Sequence, residues 1–232
     1  MIHLMEDFEP WDIFSARVWA AWRSYSDAQF WVQDHASAAI SLVDGFAILA
    51  VKEDADWEEL LAFLQMQPWA RLQCAAGIAG WLPFDVEWTS LVMRLVEPKQ
   101  VPAEACRPAV DPGEVYDILT RCGLGAMNRN DWMADMALRW RKGTAQSWMI
   151  GGQSTASAMA LAEGYCFIGA VGTLPEARGQ GLAGQLVTDI ACLQRAQGRE
   201  VWLSCKEGLA GFYESVGFAR AGEMATLRKE AA

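Results

Sequence analysis

One hexapeptide, Arg178-Gly179-Gln180-Gly181-Leu182-Ala183, has the residue types to hold a pyrophosphate. It sits between a stretch of strand character and a long amphipathic one. A helix N-terminus offers unpaired N–H groups and a partial positive charge. Glycines at 179 and 181 remove the Cβ atoms that would keep a ligand off the main chain. Together these features make a candidate anion cradle. A Walker loop would need a Lys-Ser/Thr pair, which is missing here. Gly179-x-Gly181-x-x-Gly184 has the glycine spacing of a dinucleotide fingerprint, and Glu200 stands near the expected acid. That fingerprint, however, belongs after the first strand of a parallel βαβ repeat. Here an antiparallel meander precedes it, and fewer than 50 residues follow.

A second stretch downstream, Phe212-Tyr213-Glu214-Ser215-Val216-Gly217-Phe218, adds to the first. With Pro175, Arg178, Gly181 and Ala183 it resembles the two signature elements of the GNAT superfamily of acyl-CoA-dependent N-acyltransferases, in the right order. The resemblance covers residues 112–230. It implies a GNAT fold of the α/β (α+β) class: a mixed, largely antiparallel sheet flanked by helices. It further implies that the strand ending at Val171, Gly172 and Thr173 splays from its neighbour and offers backbone groups to a pantetheine arm. The amides of Arg178, Gly179, Gln180, Gly181, Leu182, Ala183 and Gly184 would take the pyrophosphate. Tyr213 would lie near the thioester sulfur. Where the family often has an Asn, three residues ahead of an Ala, this chain has Glu207 ahead of Ala210. That departure bears on one pantetheine hydrogen bond.

The activity so implied is transfer of an acetyl group from acetyl-CoA, the cosubstrate, to a primary amine by direct attack in a ternary complex. The amine belongs to a small molecule or to a protein or peptide. A backbone N–H near Val171 or Thr173 would stabilise the oxyanion. The leaving thiolate needs a proton, and a tyrosine of pKa ~10 is matched to an alkyl thiol of similar basicity. Tyr213 is therefore the candidate general acid. From Tyr165 to Thr173 there is no carboxylate or histidine. Glu163, at the start of that strand, is the candidate base, and a water chain or a neutral amine would serve equally. Cys166 has no base in view that would make it a nucleophile. Two other readings stay open: an acyl-CoA-binding sensor without turnover, and a longer-acyl or aminoacyl transferase.

The elements that must position these residues can be read in outline. Two helices (Glu114–Cys122, and Asp131–Arg141 with Asn130 as N-cap) precede three meandering strands (Ala145–Ile150, Ser154–Leu161, Tyr165–Val171). After the glycine loop come a long helix to about Gln197, a strand over Arg199–Cys205, a short helix over Leu209–Val216 and a last strand to Arg228. In the first half, Pro10–His35 has helical periodicity. Asp44-Gly45 between two apolar runs signals a hairpin. A helix over Asp54–Gln65, with Asp56 as N-cap, and strands at Leu72–Ala76 and Trp88–Val96 follow. Glu87-Trp88-Thr89-Ser90-Leu91 loosely echoes Glu223-Met224-Ala225-Thr226-Leu227. Residues 1–96 thus read as a degenerate GNAT-like or accessory domain, 97–111 as a linker and 112–232 as the catalytic domain. In the first half, Lys52-Glu53-Asp54-Ala55-Asp56 replaces the glycine loop, and its acids would repel a pyrophosphate.

Composition narrows the class. The chain has 232 residues, of which 53% are hydrophobic and 21% charged, enough for a sizeable core. Its net charge is −10, with 16 acids against 7 bases in residues 1–110 and 13 against 12 in the rest. An acidic chain without a basic block is a poor partner for nucleic acid or an anionic membrane. The acidic excess suits a cationic amine bound between the halves. His3 and His35 are the only imidazoles, and no two of the six cysteines lie within four residues of each other. No metal is expected, and the thiols read as reduced. No apolar run approaches the ~20 residues of a membrane span. The N-terminus has acids where a signal peptide has bases. The expected setting is cytoplasmic, with the oligomeric state open.

Overall fold

The computed structural model describes residues 1–100, 102–103, 105–124 and 128–229. Parts of the 97–111 segment therefore lie outside the described residues. Strand β1 (Ile2–Leu4) is too short to show a period in the sequence. Helix α1 (Ile13–Ser24) starts at a capping box: Asp12 accepts from the Ser15 amide, and Ser15 Oγ accepts from the Asp12 amide at 2.9 Å. It ends eleven residues before His35. The sequence periodicity overruns here, because Gln29–Gln33 is a strand, β2. Phe30, Trp31 and Val32 are aromatic and β-branched, and they pair across to β3 (Ala38–Val43). The turn from β3 to β4 (Phe46–Val51) places Asp44 and Gly45 at φ 49° and 75°, as a type I′ hairpin demands. Helix α2 (Trp57–Met66) is capped by Asp56, as its sequence predicts. Strand β5 (Arg71–Ala75), the one-turn helix α3 (Ala76–Ala79) and strand β6 (Asp85–Leu95) complete the first half.

The second half repeats this plan with one more helix. Strand β7 is Arg107–Pro108. Helices α4 (Pro112–Arg121) and α5 (Arg129–Lys142) follow. The cap of α5 is Asn128, whose side chain accepts from the Asn130 amide at 2.9 Å, so Asn130 is inside the helix rather than its cap. Strands β8 (Gln146–Ile150), β9 (Ser154–Ala162) and β10 (Tyr165–Thr173) form the meander. Helix α6 (Leu182–Ala196), strand β11 (Glu200–Cys205), helix α7 (Ala210–Ser215) and strand β12 (Phe218–Arg228) complete the chain.

The twelve strands of the described residues join one mixed sheet in the order β1-β2-β3-β4-β5-β12-β6-β11-β10-β9-β8-β7. Adding six to each number of the first half, and subtracting six in the second, turns this order into its own reverse. The sheet therefore has an internal pseudo-two-fold, and its two halves exchange their last strands. Strand β12 pairs with β5 of the first half, and β6 pairs with β11 of the second. At the centre β6 and β12 run antiparallel, with Thr89 opposite Ala225. These two residues are also equivalent positions in the Glu87–Leu91 and Glu223–Leu227 echo, which is thus centred on the axis.

The two sheet faces have separate cores. On the outer face α2 packs with Leu49, Leu72 and Leu227, and α6 with Met93, Ile168 and Leu203. On the inner face α1 is buried between limbs of both halves, with Ala50, Met224, Ala160 and Phe167 around it. Each fully buried aliphatic side chain contributes roughly 1.5–3 kcal/mol, and many of these contacts join residues from opposite halves. A buried carboxylate ties down the connecting segment. Asp189 of α6, 5% exposed, accepts from the amides of Ala103, Ala105 and Cys106 at 3.0–3.1 Å.

Candidate active site

Strands β10 and β11 run parallel only as far as the Ile168–Leu203 pair. Beyond it, β10 keeps β9 on one edge and, among the described residues, has no strand partner on the other. The separation has a local cause. The β9–β10 register slips between Gly169 and Gly172, and Ala170 sits at φ 50°. Such a bulge bends the strand and increases its twist. Strand β11 meanwhile pairs through Ser204 and Cys205 with β6 from the first half. The exchanged strand thus holds one side of the gap while the bulge moves the other.

Three side chains hold the end of β10. Ser154 Oγ donates to the Gly172 carbonyl at 3.1 Å and lies 2.9 Å from Thr173 Oγ1. Cys122 at the end of α4 donates to the Thr173 carbonyl, which also accepts from Arg178 Nε at 3.3 Å. A one-turn 3-10 segment, Pro175–Ala177, then swings the chain into the glycine loop. Gly179 and Gly181 both have left-handed backbones, φ 78° and 77°, which an L side chain resists. Among the described residues, no heavy atom beyond the immediate chain neighbours lies within 4 Å of where either would carry a Cβ. Among the described residues, the amides of Gly179, Gln180 and Gly181 make no turn or loop hydrogen bond, and those of Leu182 to Gly184 are the first-turn amides of α6, ahead of its first intrahelical bond from Gln185 to Gly181. The loop is thus open, unpaired and aimed along a helix start.

A cleft of about 450 Å³ lies over this loop. The structure brings together around it Val171, Thr173, Arg178, Gly179, Gly181, Leu182, Ala183, Gly184 and Tyr213. Gly172 and Gln180 do not line it. Gly172 faces α4, where an added Cβ would lie 3.2 Å from Cys122 Sγ, and Gln180 points into solvent. Leu209 and Phe212 form an apolar wall that the motifs did not single out. Phe212 stands edge-on to Tyr213 at 4.9 Å between ring centroids. Leu209 reaches the cleft through the 3-10 turn Glu207–Leu209, which leaves no periodic mark in the sequence.

Tyr213 is 6% exposed, and burial, with Cys205 second, pushes its pKa up to about 12. The phenol therefore stays protonated at neutral pH and has a proton to give. Glu207 pairs with Arg220 of β12 at 2.5 Å, and Arg220 also meets Glu214 at 3.4 Å. The acid in place of the usual Asn is thus neutralised from the opposite side. Glu163 needs correcting as a base. It lies exposed in the β9–β10 turn, at the far end of β10 from the cleft. The six strand steps from Tyr165 to Val171 alone span roughly 20 Å at 3.3 Å per residue. Cys166 is fully buried and its pKa is pushed up to about 12 by burial, which leaves an inert thiol. Among the described residues no cluster of three His, Cys, Asp or Glu side chains is placed to hold a metal, and no helix is long and apolar enough to cross a membrane.

The equivalent place in the first half is built differently. Strand β4 also parts from β5, after the Ile48–Gln73 pair. The helix that follows β4, however, is capped by the Asp56 carboxylate, which accepts from the Glu59 amide, and Glu58 and Glu59 fill its first turn. The Glu59 amide, one of those that would meet a phosphate, already donates to a carboxylate.

Residues 143–220 match the acetyltransferase (GNAT) domain model. Among solved structures, a GCN5-related N-acetyltransferase from Kribbella flavida superposes with TM-score 0.62 at 18% identity, covering 95% of each chain. A GNAT-family protein from Novosphingobium aromaticivorans DSM 12444 gives 0.57 at 21% identity, over 93% of this chain and 97% of that one. A tandem GNAT protein from the clavulanic acid biosynthesis pathway gives 0.58 at 13% identity, over 94% and 88%. At these identities the likeness is one of fold, and it extends through both halves. No curated protein matches the sequence.

Proposed function

We propose, from the premise that residues 143–220 are a GNAT acetyltransferase domain, that the protein transfers an acetyl group from acetyl-CoA to a primary amine. The observation that carries this reading is the unpaired run of amides from Gly179 to Gly184, opening on a cleft that Tyr213 also lines. Those amides and the α6 N-terminus would hold the pyrophosphate. The unpaired edge of β10 from Gly169 to Thr173 would take the pantetheine arm as a strand takes a neighbour. Leu209 and Phe212 would cover it from solvent. When bound, acetyl-CoA supplies an activated acetyl thioester and a thiolate leaving group. The residues of this chain then have two tasks. A backbone N–H at the bulge, near Val171, would receive the oxyanion's charge. Tyr213 would donate its phenolic proton to the leaving sulfur; burial, which raises its pKa to about 12, keeps that proton in place at neutral pH but makes the phenol a weaker acid than one of pKa ~10.

One observation favours a second reading. Among the described residues, none of those lining the cleft is a carboxylate or a histidine. An acyl-CoA-binding module without turnover would need none. Calorimetry with acetyl-CoA, alongside release of free CoA thiol in the presence of an amine panel, separates the two. Binding with turnover supports the transferase. Binding with no turnover for any amine supports the sensor, and no binding overturns both.

A further inference from the structure

Helix α1 turns Arg17 onto the inner face, where its guanidinium touches three strands from both halves. One N–H group donates to Gln73 Oε1 on β5 at 2.5 Å. Another lies 3.3 Å from the Met224 sulfur on β12. The guanidinium carbon sits 4.7 Å from the centre of the Phe167 ring on β10. Strands β11 and β6 lie between β10 and β12, so Arg17 roofs the stretch of inner face that those two strands floor. That stretch borders the gap described above, since Phe167 is followed by Ile168, the last residue of β10 paired to β11. Arg139 of α5 flanks the same bulge. It donates to the Met159 carbonyl, and Met159 Cγ lies 2.9 Å from where Gly169 would carry a Cβ.

The two arginines differ in one respect. Arg139 has a counter-charge, Asp135, at 3.5 Å. Arg17 forms no salt bridge with any described residue, and its partners are an amide, a thioether and a ring. Carboxylates are not scarce, for the chain has 29 acids against 19 bases. Gln73 is itself fixed, through a 3.2 Å hydrogen bond to Thr226 Oγ1. The neighbours thus orient the guanidinium without neutralising it. An enclosed cation with no counter-charge is costly unless something else supplies one. Desolvation, with Arg139 second, lowers the pKa of Arg17 to about 10, so it is still charged at neutral pH. The residue nevertheless keeps partial exposure.

We propose that Arg17 binds an anionic group of the acceptor, and that the acceptor is an amino acid or an amino-acid-like amine whose carboxylate docks on the guanidinium while its amine faces the β10–β11 gap. This rests on the transferase reading. The planar fork of N–H donors suits a carboxylate. Net charge alone suggested a cationic amine, but the side chain facing this surface is a cation.

The test pairs each of a panel of amino acids with its decarboxylated amine. Each pair is measured for binding by calorimetry without acetyl-CoA, and as acceptors with it. The wild type should bind at least one amino acid about 10–100-fold more tightly than its amine, the effect of a charged hydrogen-bonded pair. Arg17→Met should erase that preference and raise the acceptor KM with the acetyl-CoA Kd unchanged, and Arg17→Lys should restore part of it. Should Arg17→Met not fold, Arg17→Gln carries the same comparison with an uncharged head. Equal binding of amino acids and amines across the panel overturns the proposal, as does a preference that survives loss of the charge. An intact preference in a protein that fails to bind acetyl-CoA upholds the proposal and sinks the transferase reading instead.

Discussion

Replacing Tyr213 by Phe removes one oxygen from the cleft and leaves the ring. The ring packs edge-on against Phe212 at 4.9 Å and Phe218 at 6.1 Å, and neither contact needs the hydroxyl. Burial and Cys205 account for the whole shift of the phenol's pKa, with no hydrogen bond to protein among the causes. Stability should therefore change by less than about 1 kcal/mol. Catalysis should change far more. Loss of a positioned general acid costs about 10²–10⁴ in rate, or about 3–5 kcal/mol in the barrier. Because burial raises the pKa from 10 to about 12, the neutral phenol is the form the fold favours. Its contribution to stability is complete below pH 10 and is lost as the pH rises toward 12. An alkaline fall in kcat below pH 10 therefore has another source. The assay is release of free CoA thiol across pH 6–10, with thermal melting and acetyl-CoA calorimetry on the same samples. A variant whose kcat stays within about threefold of wild type, with melting and Kd unchanged, would refute the acid role.

Gly181→Glu sets a carboxylate beside amides shaped for an anion and forces an L residue to φ 77°. Acetyl-CoA binding should vanish in calorimetry, and an unchanged Kd would remove the loop from the site. Asp189→Ala strips three linker amides of their acceptor. At about 1.5–3 kcal/mol for a hydrogen bond to a charged group, urea unfolding should show a loss of at least about 2 kcal/mol, and Asp189→Asn a smaller one. Residues 112–232 expressed alone lack β6, which fills the place between β11 and β12. That fragment should give a poorly dispersed NMR spectrum, and co-expression with residues 1–111 should restore it. A well-dispersed spectrum from the fragment alone would show that the exchanged strand is dispensable.

Local rules made much of this protein legible in one dimension. The type I′ turn at Asp44-Gly45, the Asp56 cap and the glycine loop each need only a few adjacent residues, so the sequence carries them whole. The helix that overran Ser24 shows the limit of that reading. Phe30 and Val32, two apart and both buried, have a strand's alternation rather than a helix's period, and their pairing with β3 completes it. Asn128 and Asn130 are both good caps by type, and the choice between them depends on where the helix can start against its neighbours.

Glu163 failed as a base for a reason of the same kind. Adjacency to β10 in sequence says nothing about which end of the strand meets the loop. By residue type and order alone, the chain specified a strand, a phosphate-binding turn and a tyrosine helix, because backbone geometry and amide chemistry are local. It did not specify that β6 and β12 change places, or that Arg17, about 150 residues upstream of Phe167, comes to lie against its ring. Hydrogen bonds between strands and burial of a charge depend on what the rest of the chain brings to the same place, and only the folded sheet decides that.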